Sequence, residues 1–242
     1  MDCRVFSLPK RSDTPEENQD AAGADAGTAR FAVADGATEG YPSGLWARML
    51  VASFVQNLDC RPADWLSSLP ALQQQWSDRF AGQKLPWYGE EQLAHGAFST
   101  FLGVVLEKNE SRPPVWSAMA VGDSCLFHVR GGTLRRAFPL ANSGQFGTLP
   151  RLVGSRISVE AVQGRQVFAC EEYVPGDRLW LMTDALAQWF LRQDEAGGRP
   201  WEELEPLISA TKDADAFAAW IEHLRDERQI RNDDVTLCKI DL

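Results

Sequence analysis

Arg30-Phe31-Ala32-Val33-Ala34-Asp35-Gly36 reads as a short apolar strand that stops at an acid followed by a glycine. The same ending recurs along the chain. Arg178-Leu179-Trp180-Leu181-Met182 stops at Thr183-Asp184, and Met119-Ala120-Val121 stops at Gly122-Asp123-Ser124. Arg231-Asn232-Asp233-Asp234 stands just before an apolar run over 235–240. One aspartate of this kind means little, because Asp also opens turns and caps helices. Asp184 can cap the helix that follows it, and Asp123 can be an ordinary hairpin residue. Four at similar positions point instead to strand ends that meet in a cleft. Clustered carboxylates repel one another, and hard divalent cations are the usual remedy. Two such ions, roughly 3.5–4 Å apart, lower the pKa of a water and clamp a phosphoryl oxygen.

Working outward, apolar runs rich in Val, Phe and Leu predict strands over 3–8, 30–34, 97–106, 115–121, 125–129, 166–169, 178–182 and 235–240. Hairpin signals stand at Val121-Gly122-Asp123-Ser124 and at Arg130-Gly131-Gly132-Thr133, where the paired glycines suit a reversal with positive φ. Helical spacing of Leu45, Trp46, Met49, Leu50, Phe54 and Leu58 predicts a helix over 43–58. Further helices are expected over 61–80, 184–192, 200–209 and 213–228. The aromatic stripes on these helices read as core. Strands grouped in the middle of the chain with helices outside them indicate an α+β protein, two antiparallel sheets covered by helices. The segment 141–158, rich in Gly, Ser, Pro and Arg, reads as a mobile excursion beside the site or as a plain surface loop.

A chain of 242 residues suits one domain spanning 1–242. Its 24 basic against 34 acidic residues give a net charge of −10, which disfavours nonspecific binding to nucleic acid or anionic membrane. No apolar run reaches the roughly 20 residues of a membrane span, and the first residues lack the pattern of a signal peptide. A cytoplasmic protein is the expectation. The cysteines at 3, 60, 125, 170 and 238 form no CxxC pair, and Cys125, Cys170 and Cys238 read as small core residues.

Five segments in order carry a family resemblance across essentially the whole chain. They are Glu17-Asn18-Gln19-Asp20-Ala21, Phe31-Ala32-Val33-Ala34-Asp35-Gly36, Ala120-Val121-Gly122-Asp123-Ser124, Leu181-Met182-Thr183-Asp184 and Asn232-Asp233-Asp234-Val235-Thr236. Together they resemble the metal-dependent serine/threonine phosphatases of the protein phosphatase 2C type. The resemblance implies a β-sandwich flanked by helices on both sides (αββα), with 141–158 where the family carries its flap. It implies two or three divalent cations, Mn²⁺ or Mg²⁺. Asp35 would bridge two of them, and the Gly36 carbonyl would complete the second ion's shell. Asp184 and Asp233 would hold the first, Asp123 with Asp184 would suit a third, and Asp20 would act through metal-bound water. Catalysis would rest on Asp35 and Asp20 and on metal-activated water, with no covalent phosphoenzyme. A phosphorylated protein and a cognate Ser/Thr kinase would be the partners.

The chain departs from the pattern in places. Gln19-Asp20 stands for the family's Glu-Asp, and Pro15 for its usual arginine, so Arg11 or Lys10 is left to hold the substrate phosphate unless both are surface charges. Ala37-Thr38-Glu39-Gly40 lacks the family's histidine, leaving Glu39 or a bound water as proton source, or Glu39 as the start of a helix. Ala185 replaces a glycine, and Asp234 stands where Asn is frequent. His95, His128 and His223 read as structural. The alternatives to an active phosphoprotein phosphatase are a catalytically silent signalling module of the same fold and a small-molecule phosphomonoesterase.

Overall fold

The computed structural model describes residues 1–37, 42–57, 61–83, 87–109, 111–147, 150–208 and 214–242. Glu39, Cys60 and Asp213 lie outside them. Two five-stranded sheets dominate. One runs β1 (Asp2–Leu8), β12 (Val235–Asp241), β11 (Arg178–Met182), β7 (Cys125–Arg130), β8 (Thr133–Phe138). The other runs β10 (Val167–Glu172), β6 (Arg112–Val121), β5 (Phe101–Asn109), β3 (Arg30–Asp35), β2 (Asp20–Asp25). Neighbouring strands pair antiparallel throughout. A small ladder joins β4 (Phe98–Ser99) to β9 (Val153–Gly154).

Side-chain alternation along the strands sorts the core into three layers. Phe31, Val33, Leu102 and Val104 of one sheet meet Leu126, Leu179, Leu181, Cys238 and Ile240 of the other inside the sandwich. The opposite pleat of β3, Ala32 and Ala34, faces α1 (Ser43–Gln56) and α2 (Leu69–Asp78), whose Trp46, Leu50, Phe54 and Trp76 fill the outer layer. On the far side Trp180 and Met182 pack under α5 (Asp184–Glu195), α6 (Pro200–Leu207) and α7 (Ala214–Asp226). Each fully buried aromatic contributes on the order of 2–3 kcal/mol, so this layering is strongly specified. The expected α+β sandwich flanked by helices on both sides is the observed architecture.

Gly131 and Gly132 do turn a hairpin between β7 and β8, at φ of 56° and 71°. Val121-Gly122-Asp123-Ser124 is not a hairpin. It carries the chain from β6 in one sheet to β7 in the other, with Gly122 at φ 104° packed against Thr100. The helix expected over 61–80 splits into a 3-10 stretch, Pro62–Ser68, and α2, because Pro70 has no N–H to continue an α ladder from the preceding turn. Strands β2, β8 and β9 and helices α3 (Trp87–His95) and α4 (Val159–Gln163) lack the periodic signal and are seen only in three dimensions. Cys125 and Cys238 are buried as expected, whereas Cys170 is exposed on the edge strand β10. Described residues within 141–158 make contacts with the body of the fold. Ser143 bonds Glu195 through both its N–H and its hydroxyl, and β9 pairs with β4.

Candidate metal centre

Antiparallel pairing puts the site at one end of the sandwich. Both β3 and β6 pair antiparallel with β5, so they run the same way and finish at the same edge of the sheet, flanking the start of β5, at Asp35 and near Asp123. In the other sheet, Met182 at the end of β11 lies opposite Cys125 and Leu237, which brings Asp184 and the segment before β12 to the same edge. Carboxylate oxygens of Asp35, Asp123 and Asp184 lie within 4.8 Å of one another. Ligand oxygens around one octahedral Mg²⁺ are about 3–4.2 Å apart, so three carboxylates gathered this closely can face one divalent cation or be shared between two.

The backbone beneath Asp35 is held tightly. Its carbonyl accepts from the Thr100 N–H at 2.8 Å and the Ser99 hydroxyl at 2.9 Å, and its own N–H donates to the Thr100 Oγ1 at 3.0 Å. Gly36 is required by packing. A Cβ there would stand 2.7 Å from the Gln19 carbonyl oxygen and 2.9 Å from the Ser43 carbonyl carbon, both backbone atoms. Asp184 opens α5 directly after Thr183 in the N-cap position, where the helix dipole favours a negative charge. Asp123 is buried in the connection between the sheets.

Asp20 is placed directly opposite Asp35 in the β2–β3 register. Like charges so paired are destabilising. Its Oδ2 accepts from the Thr183 Oγ1 at 2.9 Å, and Thr183 in turn accepts from the Thr236 N–H, tying the two sheets together beneath the site. Asp233 lies at the rim with its side chain 39 % exposed, its Oδ2 3.3 Å from the Arg231 Nε. Buried Arg225 donates to the Asp233 carbonyl at 2.6 Å and to that of Pro9, clamping this segment to the first loop.

Electrostatics mark the cluster as incomplete without a cation. Burial first, then Asp233 and Asp123, push Asp35 up to about 8, with Arg231 opposing. Burial pushes Asp123 up to about 6, again against Arg231. Burial, then Asp35 and Asp234, raise Asp20 well above the carboxylate range. Asp20 Oδ1, Asp123 Oδ1 and Asp184 Oδ1 are buried with no hydrogen-bond partner. A buried acceptor left unpaired costs about 1–3 kcal/mol, more when charged. Three around one cleft fit hard cations with oxygen ligands, which is the chemistry this donor set suits.

Of the expected residues, the structure thus gathers Asp35, Asp123 and Asp184, with Asp20 beside and Asp233 at the rim. It does not bring the Arg11 guanidinium to them. That group donates to Glu222 and Asp226 on α7, and Lys10 pairs with Asp13. Asp234 turns out to be a brace, its two oxygens accepting from the N–H groups of Lys10 and Gln19 at 2.8 Å each. His128 is structural. Trp116 donates to its Nδ1, so Nε2 carries the proton and donates to Asp177. The residue to which the sequence assigns no role is Arg231, which forms an ion pair with Asp184 inside the site. A charged residue in a polar segment carries no local mark of such a position.

The comparisons with known proteins agree with this geometry. A family model described as protein phosphatase 2C matches residues 10–232. A search of curated protein sequences gives no significant match. Among solved structures, the serine/threonine phosphatase PstP/Ppp of Mycobacterium tuberculosis is 19 % identical at a TM-score of 0.64, with 100 % of this chain and 98 % of that one covered. The catalytic domain of PstP in complex with two manganese ions matches at 18 % identity and a TM-score of 0.61, covering 99 % and 97 %. PppA of Pseudomonas aeruginosa, described as a key regulatory component of T6SS, matches at 17 % and 0.59, covering 100 % and 97 %. At such identities the likeness carries the fold, while the family match spans nearly every residue between the first loop and the last motif: the chain belongs to the protein phosphatase 2C family.

Proposed function

We propose that the chain hydrolyses phosphoserine and phosphothreonine esters of proteins at a centre of two or three divalent cations, Mn²⁺ or Mg²⁺. Asp35, Asp123, Asp184 and Asp233 would hold the ions, with the Gly36 carbonyl and Asp20 completing their surroundings. The observation that carries the reading is the set of three buried, unpartnered carboxylate oxygens on Asp20, Asp123 and Asp184 around Asp35. The cations, when bound, supply Lewis acidity toward the phosphoryl oxygens and an ionised water at neutral pH.

The chain's own residues set the geometry. Ser99 and Thr100 fix the Asp35 main chain, so its carboxylate is presented from a rigid strand end rather than a loop. Thr183 orients Asp20 and leaves its second oxygen buried and unpaired. Burial of Asp123 and Asp184 keeps the local dielectric low, which strengthens every charge interaction made there. No cysteine is needed as nucleophile, and the buried thiol of Cys125 is pushed up out of reach of ionisation by its surroundings. A cytoplasmic phosphoprotein, modified by a partner Ser/Thr kinase, is the substrate class the reading implies. Among the described residues no helix is long and apolar enough to cross a membrane.

The test is turnover of a phosphothreonine peptide and of p-nitrophenyl phosphate with Mn²⁺, with Mg²⁺ and with EDTA, for the native protein and Asp35→Asn. Metal-dependent turnover that falls about a hundred- to a thousandfold in the variant is expected, the scale of losing a principal electrostatic element of the site. Metal uptake without turnover would favour a silent module of the same fold. Turnover of small phosphomonoesters alone would favour a metabolite phosphatase.

A further inference from the structure

We propose that Arg231 binds the substrate phosphate and that, before the cations arrive, the same guanidinium serves as counter-ion to the carboxylates that will hold them. The inference rests on the hydrolase reading above and adds a residue to it. Arg231 stands between α7 and β12 and pairs with Asp184 and, through Nε at 3.3 Å, with Asp233. The side chain is nevertheless 40 % exposed, so it borders solvent as well as the carboxylates.

The cations of the first loop and of α7 are already engaged. Arg11 is held by Glu222 and Asp226, Lys10 by Asp13, and Arg225 by Glu222 and two carbonyls. Divalent ions drawn to Asp184 and Asp233 place charge of the same sign where the guanidinium now sits, and repulsion between them must move it. Its attachment to the segment that also carries Asp233 keeps it at the rim. What makes a guanidinium favourable beside a cation centre is an anion shared by both. A phosphate dianion, with oxygens left over from the ions, offers the two acceptors that the planar fork of arginine matches. One side chain thereby stabilises the empty cluster and recognises the substrate once it is filled.

Two opposite effects of Arg231→Ala follow, and a merely structural residue would not produce both. Removing the counter-ion leaves the empty carboxylates more repulsive, so Mn²⁺ measured by calorimetry on metal-free protein should bind severalfold tighter. Losing the charged fork should raise the KM for a phosphothreonine peptide and the inhibition constant of inorganic phosphate together, by roughly ten- to hundredfold. Arg231→Lys, which keeps the charge without the fork, should keep native Mn²⁺ affinity and recover only part of the phosphate affinity. Weaker Mn²⁺ binding in the alanine variant, or an unchanged phosphate inhibition constant, would overturn the proposal while leaving the hydrolase reading intact. A native protein that neither takes up Mn²⁺ nor turns over would overturn both.

Discussion

Replacing Gly36 by alanine isolates the packing that presents Asp35. The added methyl would stand 2.7 Å from the Gln19 carbonyl oxygen, 2.9 Å from the Ser43 carbonyl carbon and 3.0 Å from the Ser43 oxygen. Ordinary contact begins near 3.4 Å, so the overlap is about 0.7 Å and is made entirely with backbone, which has no rotamer to relieve it. Relief requires the end of β3 to move away from the end of β2 and the start of α1. Overpacking of this kind costs about 1–3 kcal/mol, which for a chain of this size lowers the melting temperature by roughly 2–12 °C. The same shift displaces Asp35 and Asp20, and a supporting-shell change of this order weakens metal binding roughly ten- to hundredfold. Differential scanning calorimetry and Mn²⁺ titration read the two effects. Gly164→Ala is the control, because its nearest neighbours are 3.9 and 4.0 Å away and its φ is −68°. That change should cost nothing and can add up to about 1 kcal/mol through the unfolded chain. A Gly36→Ala protein with native melting temperature and native Mn²⁺ affinity would refute the steric argument.

The hydrogen bonds of Asp177 and Thr183 set two further outcomes. Burial alone would raise Asp177, but Arg130, then the Val174 N–H and His128, draw it down to about 2. Because the folded value lies below the unfolded one of about 3.9, Asp177 contributes fully above about pH 4 and loses that contribution as the pH falls toward 2, about 1–2 kcal/mol once the partial exposure of Arg130 is allowed for. Urea midpoints of the native protein and Asp177→Asn between pH 2 and 5 should converge at the acid end, and parallel curves would contradict this. Thr183→Val should leave Asp20 and the Thr236 N–H without their shared hydroxyl, costing about 1–3 kcal/mol and weakening Mn²⁺ uptake, whereas Thr183→Ser should keep both. Calorimetry showing the valine variant equal to the native protein would remove Thr183 from the account.

What was legible in the sequence was the periodic part. Strands such as 178–182 and helices such as 43–56 carry apolar patterns that survive any tertiary context, and the aspartates at their ends came with them. Strand β2 left no such trace. Asp20-Ala21-Ala22-Gly23-Ala24-Asp25 has no β-branched or aromatic residue, and it is small because α1 lies on it: a Cβ on Gly23 would stand 2.6 Å from Val51. The turn at Gly122-Asp123 looks locally like a hairpin because a positive φ and a polar neighbour serve a change of sheet as well as a reversal. Cys170 lies in an apolar run, but its strand is an edge, and edges are decided by which strands fail to arrive. Asp234 and Arg231 illustrate the harder case. Both are charges in a polar segment, and only the approach of the first loop to one and of Asp184 to the other gives them different work.

Whether these aspartates form a metal centre can be read directly. The most direct measurement is an anomalous difference map from crystals grown with Mn²⁺. Strong peaks are expected about 2.2 Å from carboxylate oxygens of Asp35 and Asp184, with Arg231 no longer on Asp184. Crystals holding Mn²⁺ elsewhere, or none at this cluster while Arg231 still pairs with Asp184, would contradict a metal centre here.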